Sequence, residues 1–358
     1  MREYSVRVSV DGTTTFSGRD LLTLPKAHLH LHLEGAMRLA TMAELARGYG
    51  VPAPATRGFT SFTGFLDLYR CARRLVRSLD DLRRVVREVV EDAAADGAVW
   101  VEPAFYPPNY RWLAADADVM SEVLEAGRSA AQAAGIGFGL MVATSRTADR
   151  SEAEGLARLA VAFAGRGVVA LGLANDENAS RADEFATAFA LARSAGLLAT
   201  PHAGELAGAV SVWQALDLLG ADRVQHGVRA VEDPELLRRL ADQGTCLDVC
   251  PTSNVRLGLV PVLAEHPLPR LLAAGVRCSI NADDPLLFGV GILSEYETCR
   301  SVLGLGDGQL GDIARTSIEA SGAPDDLRRV ALDRLSAWRS GGSAGSASVT
   351  REQRGHGE

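Results

Sequence analysis

Lysine is almost missing from this 358-residue chain, and Lys26 is the only one. Chemistry that needs a lysine anywhere else is therefore excluded. Cysteine is sparse as well: Cys71, Cys246, Cys250, Cys278 and Cys299 are odd in number and have no CxxC spacing. They read as reduced thiols, not a disulfide framework. No apolar run nears the roughly 18 residues of a membrane span, and no signal-peptide pattern opens the chain. A soluble, cytoplasmic protein with no membrane partner is expected. There is no basic block, and with a net charge of −8 nucleic acid is not expected as a partner. The one GxSxG match, Gly341-Gly342-Ser343-Ala344-Gly345, falls in the Gly/Ser-rich C-terminal stretch and not between a predicted strand and helix, so it does not point to a serine nucleophile. Gly165-Arg166-Gly167-Val168-Val169-Ala170 spells GxGxxA but leads into a predicted strand instead of following one. Gly304-Leu305-Gly306-Asp307-Gly308 fits no phosphate-cradling loop.

What the chain does contain begins at His28-Leu29-His30-Leu31-His32-Leu33-Glu34-Gly35, where histidine and leucine alternate. Side chains on a strand point alternately to its two faces, so the alternation predicts His28, His30 and His32 on one face. Imidazoles gathered this way begin a metal site. The alternative is a polar strand face whose histidines are merely hydrogen-bonded.

Downstream, strands alternate with amphipathic helices. Strands are expected at 98–105, 136–143, 168–174, 197–202, 223–226, 245–250 and 276–281, with helices between them and filling most of the chain to Trp338. Together with the His-rich strand this makes about eight βα units, whose natural closure is a (β/α)8 TIM-type barrel with additional helices. Residues 1–20 read as an N-terminal arm, 21–339 as a single barrel domain, and 340–358, Gly/Ser-rich and then charged, as a disordered tail.

In such a barrel reactive groups gather at the C-terminal ends of the strands. His30, His32, His202 and His226 stand at predicted strand ends, and the last strand runs into Asp283-Asp284. His30, His32, His202 and Asp283 can hold one Zn2+ or similar ion with a position open for water, whose pKa the ion lowers toward about 7. Glu205, in His202-Ala203-Gly204-Glu205, is placed to act as general acid and base, or else it opens the next helix. His226 is placed to hold or deprotonate the water, or is a hydrogen-bonded barrel histidine. Asp284 is placed to bond the substrate, or caps the helix ahead of Pro285. Related barrels bridge two metals with a carboxylated lysine. With Lys26 ahead of the first ligands that bridge is unavailable, and a mononuclear site is expected.

Pro25-Lys26-Ala27-His28-Leu29-His30-Leu31-His32-Leu33-Glu34-Gly35 resembles the Pro-Lys-x-x-Leu-His-x-His-Leu-(Asp/Glu)-Gly strand of the adenosine deaminase family. His202-Ala203-Gly204-Glu205, His226-Gly227, Cys250-Pro251-Thr252-Ser253-Asn254 and Asn281-Ala282-Asp283-Asp284-Pro285 follow in the family's order. The resemblance settles His30 and His32 as ligands, with His28 extra. It implies zinc, one ion per chain, and hydrolytic attack of water at C6 of an adenine-type ring. It further implies that Glu205 protonates N1, that His226 and Asp283 orient the attacking oxygen, and that Asp284 bonds N7. The H-x-E…P-C-x-x-C pattern of the cytidine-deaminase type is absent.

The departures concern the substrate. Glu34 stands where adenosine deaminases often carry an aspartate that meets the ribose, and glutamate there is also seen in adenine deaminases. Asn175 replaces a glycine whose amide usually meets N3, the arginine common on the Val101–Phe105 strand is missing, and Gln225 precedes His226 in place of glycine. Adenosine or 2′-deoxyadenosine is the expected substrate. Adenine, or a modified adenosine such as aminodeoxyfutalosine, is the alternative. The rival readings are a metal-dependent amidase or esterase, and a non-catalytic binding protein. The apolar helices after Asp284 suit packing on the barrel or on a second subunit equally.

Overall fold

Strands form where the chain runs apolar without alternation, as in Ala98–Phe105 and Val168–Ala174, because a parallel strand inside an α/β fold is covered on both faces. The computed structural model describes residues 18–341. Residues 1–17 and 342–358, which hold most of the expected arm and tail, lie outside the described residues. Ser340, expected to begin the tail, instead ends the last helix, Asp325–Ser340.

The strands are β1 (Lys26–His32), β2 (Ala98–Phe105), β3 (Gly137–Phe138), β4 (Leu140–Ser145), β5 (Val168–Ala174), β6 (Leu198–Ala203), β7 (Arg223–His226), β8 (Cys246–Val249) and β9 (Arg277–Ile280). All pairings are parallel, in the order β1-β2-β4-β5-β6-β7-β8-β9, with β3 a stub on β2. Just beyond β9, Asp283 closes the ring on β1: its N–H donates to His30 O at 3.1 Å, and His32 N–H donates to Asp283 O at 3.0 Å. The expected TIM-type barrel is present, with helices outside it.

The structure departs from the expected elements in two places. The strand anticipated at 136–143 is broken at Gly139. A Cβ at Gly137 or Gly139 would stand 2.4 or 2.6 Å from the Trp100 ring, so this bulky neighbour forces glycine. Between β1 and β2 lie two amphipathic helices, Phe62–Arg73 and Leu79–Ala95, each opened by a serine whose hydroxyl accepts a backbone N–H (Ser61 and Ser78).

The second departure is in β1. Its register slips between His28 and Leu31, and the successive N–H groups of Leu29 and His30 both donate to Asn281 Oδ1, at 2.7 and 3.1 Å. This bulge resets the alternation. Ala27 and Leu29 pack with Trp100 and Ala323, while His28 shares an outer groove with Leu31 and Val89 and accepts the Ala282 N–H at 3.1 Å. The expectation that His28 shares a face with His30 and His32 is corrected.

Beneath the site the interior is polar. Arg223 is fully buried and donates to Glu102 Oε2 (2.6 Å), Asp248 Oδ2 (3.1 Å) and Ala320 O (2.7 Å). The cation that β2 lacks is thus supplied from β7. Among the described residues no helix is long and apolar enough to cross a membrane.

Candidate active site

Asn175 (φ 75°), His226 (φ 63°) and Asp283 (φ 61°) are the non-glycine residues with left-handed backbone among those described. All three lie at or just past strand ends and line one cavity of about 250 Å3. Such backbone persists only where surrounding contacts hold it, and it concentrates at working sites.

The expected ligand atoms converge. Asp283 Oδ1 lies 3.3 Å from both His30 Nε2 and His32 Nε2, and His30 Nε2 lies 3.2 Å from His202 Nε2. His30 Nδ1 faces Asp248 O at 3.1 Å and His202 Nδ1 faces Leu173 O at 2.9 Å. A carbonyl can only accept, so the Nδ1 atoms carry the protons and both Nε2 lone pairs point inward. Two bare lone pairs 3.2 Å apart beside a buried carboxylate repel unless a cation lies among them. That separation is close to the ~3.4 Å between nitrogens that each sit about 2.1 Å from a tetrahedral ion. The residues fit a divalent metal. Ser253 Oγ steadies the other side of the Asp283 carboxylate, donating to Oδ2 at 2.7 Å.

Glu205 is buried and faces this cluster, with Oε1 3.4 Å from His226 Nε2. It does not open the next helix, which begins at Ala209. Burial, and then the neighbouring Asp283, push its carboxyl well above the usual range, which favours its protonated form. Its loop is pinned by Glu177, which accepts the backbone N–H groups of Gly204 (3.2 Å), Glu205 (2.9 Å) and Ala207 (3.0 Å). His226 Nε2 also lies 3.9 Å from Asp283 Oδ2, and burial holds its imidazole neutral.

Asp284 occupies the position before the short helix Pro285–Phe288 but makes no capping bond. Its Oδ1 is buried and unpartnered. Burial and the adjacent Asp283 charge push it well above the ordinary carboxyl range.

Glu34 is buried at the cavity wall, where Tyr69 Oη and Tyr110 Oη each donate to one of its oxygens at 2.9 Å. Asn175 Nδ2 donates to Ser145 Oγ at 2.7 Å and turns its side chain toward β4. Sequence reading assigned no role to Glu177, Ser253, Asn254, Tyr69 or Tyr110. For Ser253 and Asn254 the signal was present in the Cys250–Asn254 motif, and for Glu177 in its place two residues after Asn175. The two tyrosines come from a helix and a 3-10 turn with no pattern of their own. Cys250 is fully buried with Sγ 3.4 Å from His30 Nδ1.

The family model for adenosine deaminase matches residues 25–338. The chain belongs to the adenosine deaminase family. It is accordingly a metal-dependent hydrolytic deaminase acting on C–N bonds of cyclic amidines. A Streptomyces virginiae protein, named as a candidate adenosine/adenine deaminase, is 44% identical over 335 residues, covering 90% of this chain and 99% of that one. The crystal structure of adenine deaminase from Arthrobacter aurescens superposes with a TM-score of 0.83 at 31% identity, covering 88% of this chain and 99% of that one. An amidohydrolase structure from Burkholderia ambifaria with bound zinc gives a TM-score of 0.80 at 29% identity, covering 90% and 93%.

Proposed function

We propose that this deaminase acts on adenine as the free base, yielding hypoxanthine and ammonia. Zinc is the proposed ion, one per chain, held by His30, His32, His202 and Asp283. The observation that carries the adenine reading is Glu34. Its carboxylate is anchored by two tyrosine hydroxyls as a fixed acceptor on the cavity wall. Free adenine offers a ring N–H to such an acceptor, whereas adenosine carries its sugar on that nitrogen. The cavity, about 250 Å3, lies just under the ~300–1,000 Å3 of drug-sized sites and suits a small heterocycle. Phe62, Phe65, Leu66 and Tyr69 line the same cavity from one helix. The Arthrobacter structure, an adenine deaminase, points the same way. The zinc assignment is supported by the donor set and by the zinc-bound Burkholderia structure.

When bound, the ion acidifies water toward neutral pH and so supplies the nucleophile. The chain's own groups do the rest. Protonated Glu205 donates to N1, which makes C6 electrophilic, and His226 and Asp283 orient the attacking water. Asp284 keeps its proton and donates to N7, a pure acceptor. Glu205 then passes the water's proton to the departing amino group, and ammonia leaves. Adenosine stands as the second reading, because the Streptomyces relative's name includes it. Ammonia release from zinc-loaded protein is to be compared on adenine, adenosine, 2′-deoxyadenosine and aminodeoxyfutalosine. The proposal expects kcat/KM for adenine to exceed each nucleoside by at least about tenfold, the discrimination that about 1.4 kcal/mol supplies. A preference for a nucleoside would overturn the adenine reading and leave the deaminase intact.

A further inference from the structure

His266 plays no part in the chemistry described so far, yet it is buried and lies one residue away from the active site through Asn254. The chain of contacts starts from a group whose direction is fixed. Leu268 N–H points at His266 Nδ1 at 3.1 Å, and a backbone amide can only donate. His266 Nδ1 must therefore be unprotonated, and its proton sits on Nε2. That Nε2–H meets Asn254 at 3.0 Å, so the atom it meets is the acceptor Oδ1. The other end of the amide, Nδ2, then faces His226 Nδ1 at 3.3 Å and donates to it.

We infer that His266 and Asn254 are positioning residues that lock His226 in its Nε2–H form, so that His226 meets the attacking oxygen as a hydrogen-bond donor. The four groups run in one direction, Leu268 N–H to His266, His266 to Asn254, Asn254 to His226, and His226 into the cavity. This separates His226 from His30 and His202. His30 and His202 give their Nδ1 protons to carbonyls and turn bare Nε2 atoms inward, whereas His226 receives at Nδ1 and turns an N–H inward. His226 lies close enough to His30, His202 and Asp283 to be counted with them as a ligand, but the proton on Nε2 bars coordination through that atom. The distinction also fits the site's charge: a donor beside Glu205 and Asp283 is attracted to both carboxyl oxygens, at 3.4 and 3.9 Å. Burial pulls His266 down to about 4, so it is neutral at working pH, as the relay requires.

The inference rests on His226 being the partner of the attacking water, but not on the substrate, and its main readout needs no substrate. Side-chain 15N spectra of the zinc-loaded, histidine-labelled full chain report which ring nitrogen is protonated. His226→Gln identifies the His226 signals. The expected wild-type pattern is a protonated Nε2 and a bare Nδ1 on His226. Asn254→Asp offers acceptors to both histidines and is expected to invert that pattern. It should lower kcat about 100-fold or more with KM and zinc content little changed, as when a triad's orienting partner is swapped. His266→Gln, which still donates to Asn254 Oδ1, should keep the wild-type pattern on His226, while His266→Leu should lose it. A protonated Nδ1 on wild-type His226 overturns the inference. So does an unchanged His226 pattern in both Asn254→Asp and His266→Leu.

Discussion

Asp283 and Asp284 are neighbours in sequence with opposite proposed tasks, and the contrast lies in their surroundings. Asp283 Oδ1 faces His30 and His32 and its Oδ2 receives Ser253, so it stays ionised. Asp284 has an unpartnered Oδ1, and burial beside the Asp283 charge pushes its carboxyl well above the usual range, which favours the protonated form that can donate to a ring nitrogen. Asp284→Ala is therefore expected to lower kcat/KM about 10- to 100-fold, the 1–3 kcal/mol of a buried hydrogen bond lost from the complex. Asp284→Asn keeps a donor and should lose clearly less. Equal losses in the two variants would show that donation to N7 is not the task. Sequence reading gave Asp283 to the metal and Asp284 to the substrate but not their opposite charge states, because that difference is made by burial and by groups far along the chain. The same holds for Glu34, whose chemistry is set by Tyr69 and Tyr110.

At the scale of elements, the strand ends were legible, since apolar runs and the His-x-His, His-x-x-Glu and Asp-Asp motifs mark them. The bulge in β1 was not. Perfect His/Leu alternation predicts one histidine face, but Asn281, 252 positions from Leu29, draws two successive amides to one oxygen and turns His28 outward. The turn after β1 is similarly constrained from a distance. A Cβ at Gly35 would lie 1.6 Å from Asp284 Oδ1, so Gly35→Ala should cost activity by displacing Asp284, measured as kcat/KM against an unfolding midpoint that falls less.

The short helix Pro251–Arg256, which presents Ser253 and Asn254, begins with Thr252 N–H donating to Glu295 Oε1 at 3.0 Å. Burial pushes Glu295 up to about 8 from 4.5. Between those values the folded state holds a proton that the unfolded chain has released, so stability falls as pH rises through this window. The slope is up to about 1.4 kcal/mol per pH unit, and it vanishes above both values. Urea unfolding at about pH 5.5 and about pH 7.5 should show Glu295→Gln losing less stability over that rise than the wild type. Parallel losses would contradict the assignment.

Across the whole molecule, barrel closure and the metal site are one structure, because the bonds that join the last strand's extension to β1 are made by Asp283 between His30 and His32. The barrel was legible from the alternation of βα units. Its charged floor was not, since nothing in the sequence pairs Arg223 with Glu102 and Asp248. Arg223→Met leaves two fully buried carboxylates without their cation and should cost about 3–5 kcal/mol in urea unfolding. A cost under about 1 kcal/mol would mean that the carboxylates find other partners.

In the proposed mechanism Glu205 moves the proton of a metal-assisted hydrolytic deamination. The measurement is ammonia released from adenine by zinc-loaded wild type and by Glu205→Gln, with zinc content determined in both. On that mechanism the wild type releases ammonia steadily and the variant loses about 100-fold or more at undiminished zinc content. A Glu205→Gln protein that releases ammonia at the wild-type rate would contradict it.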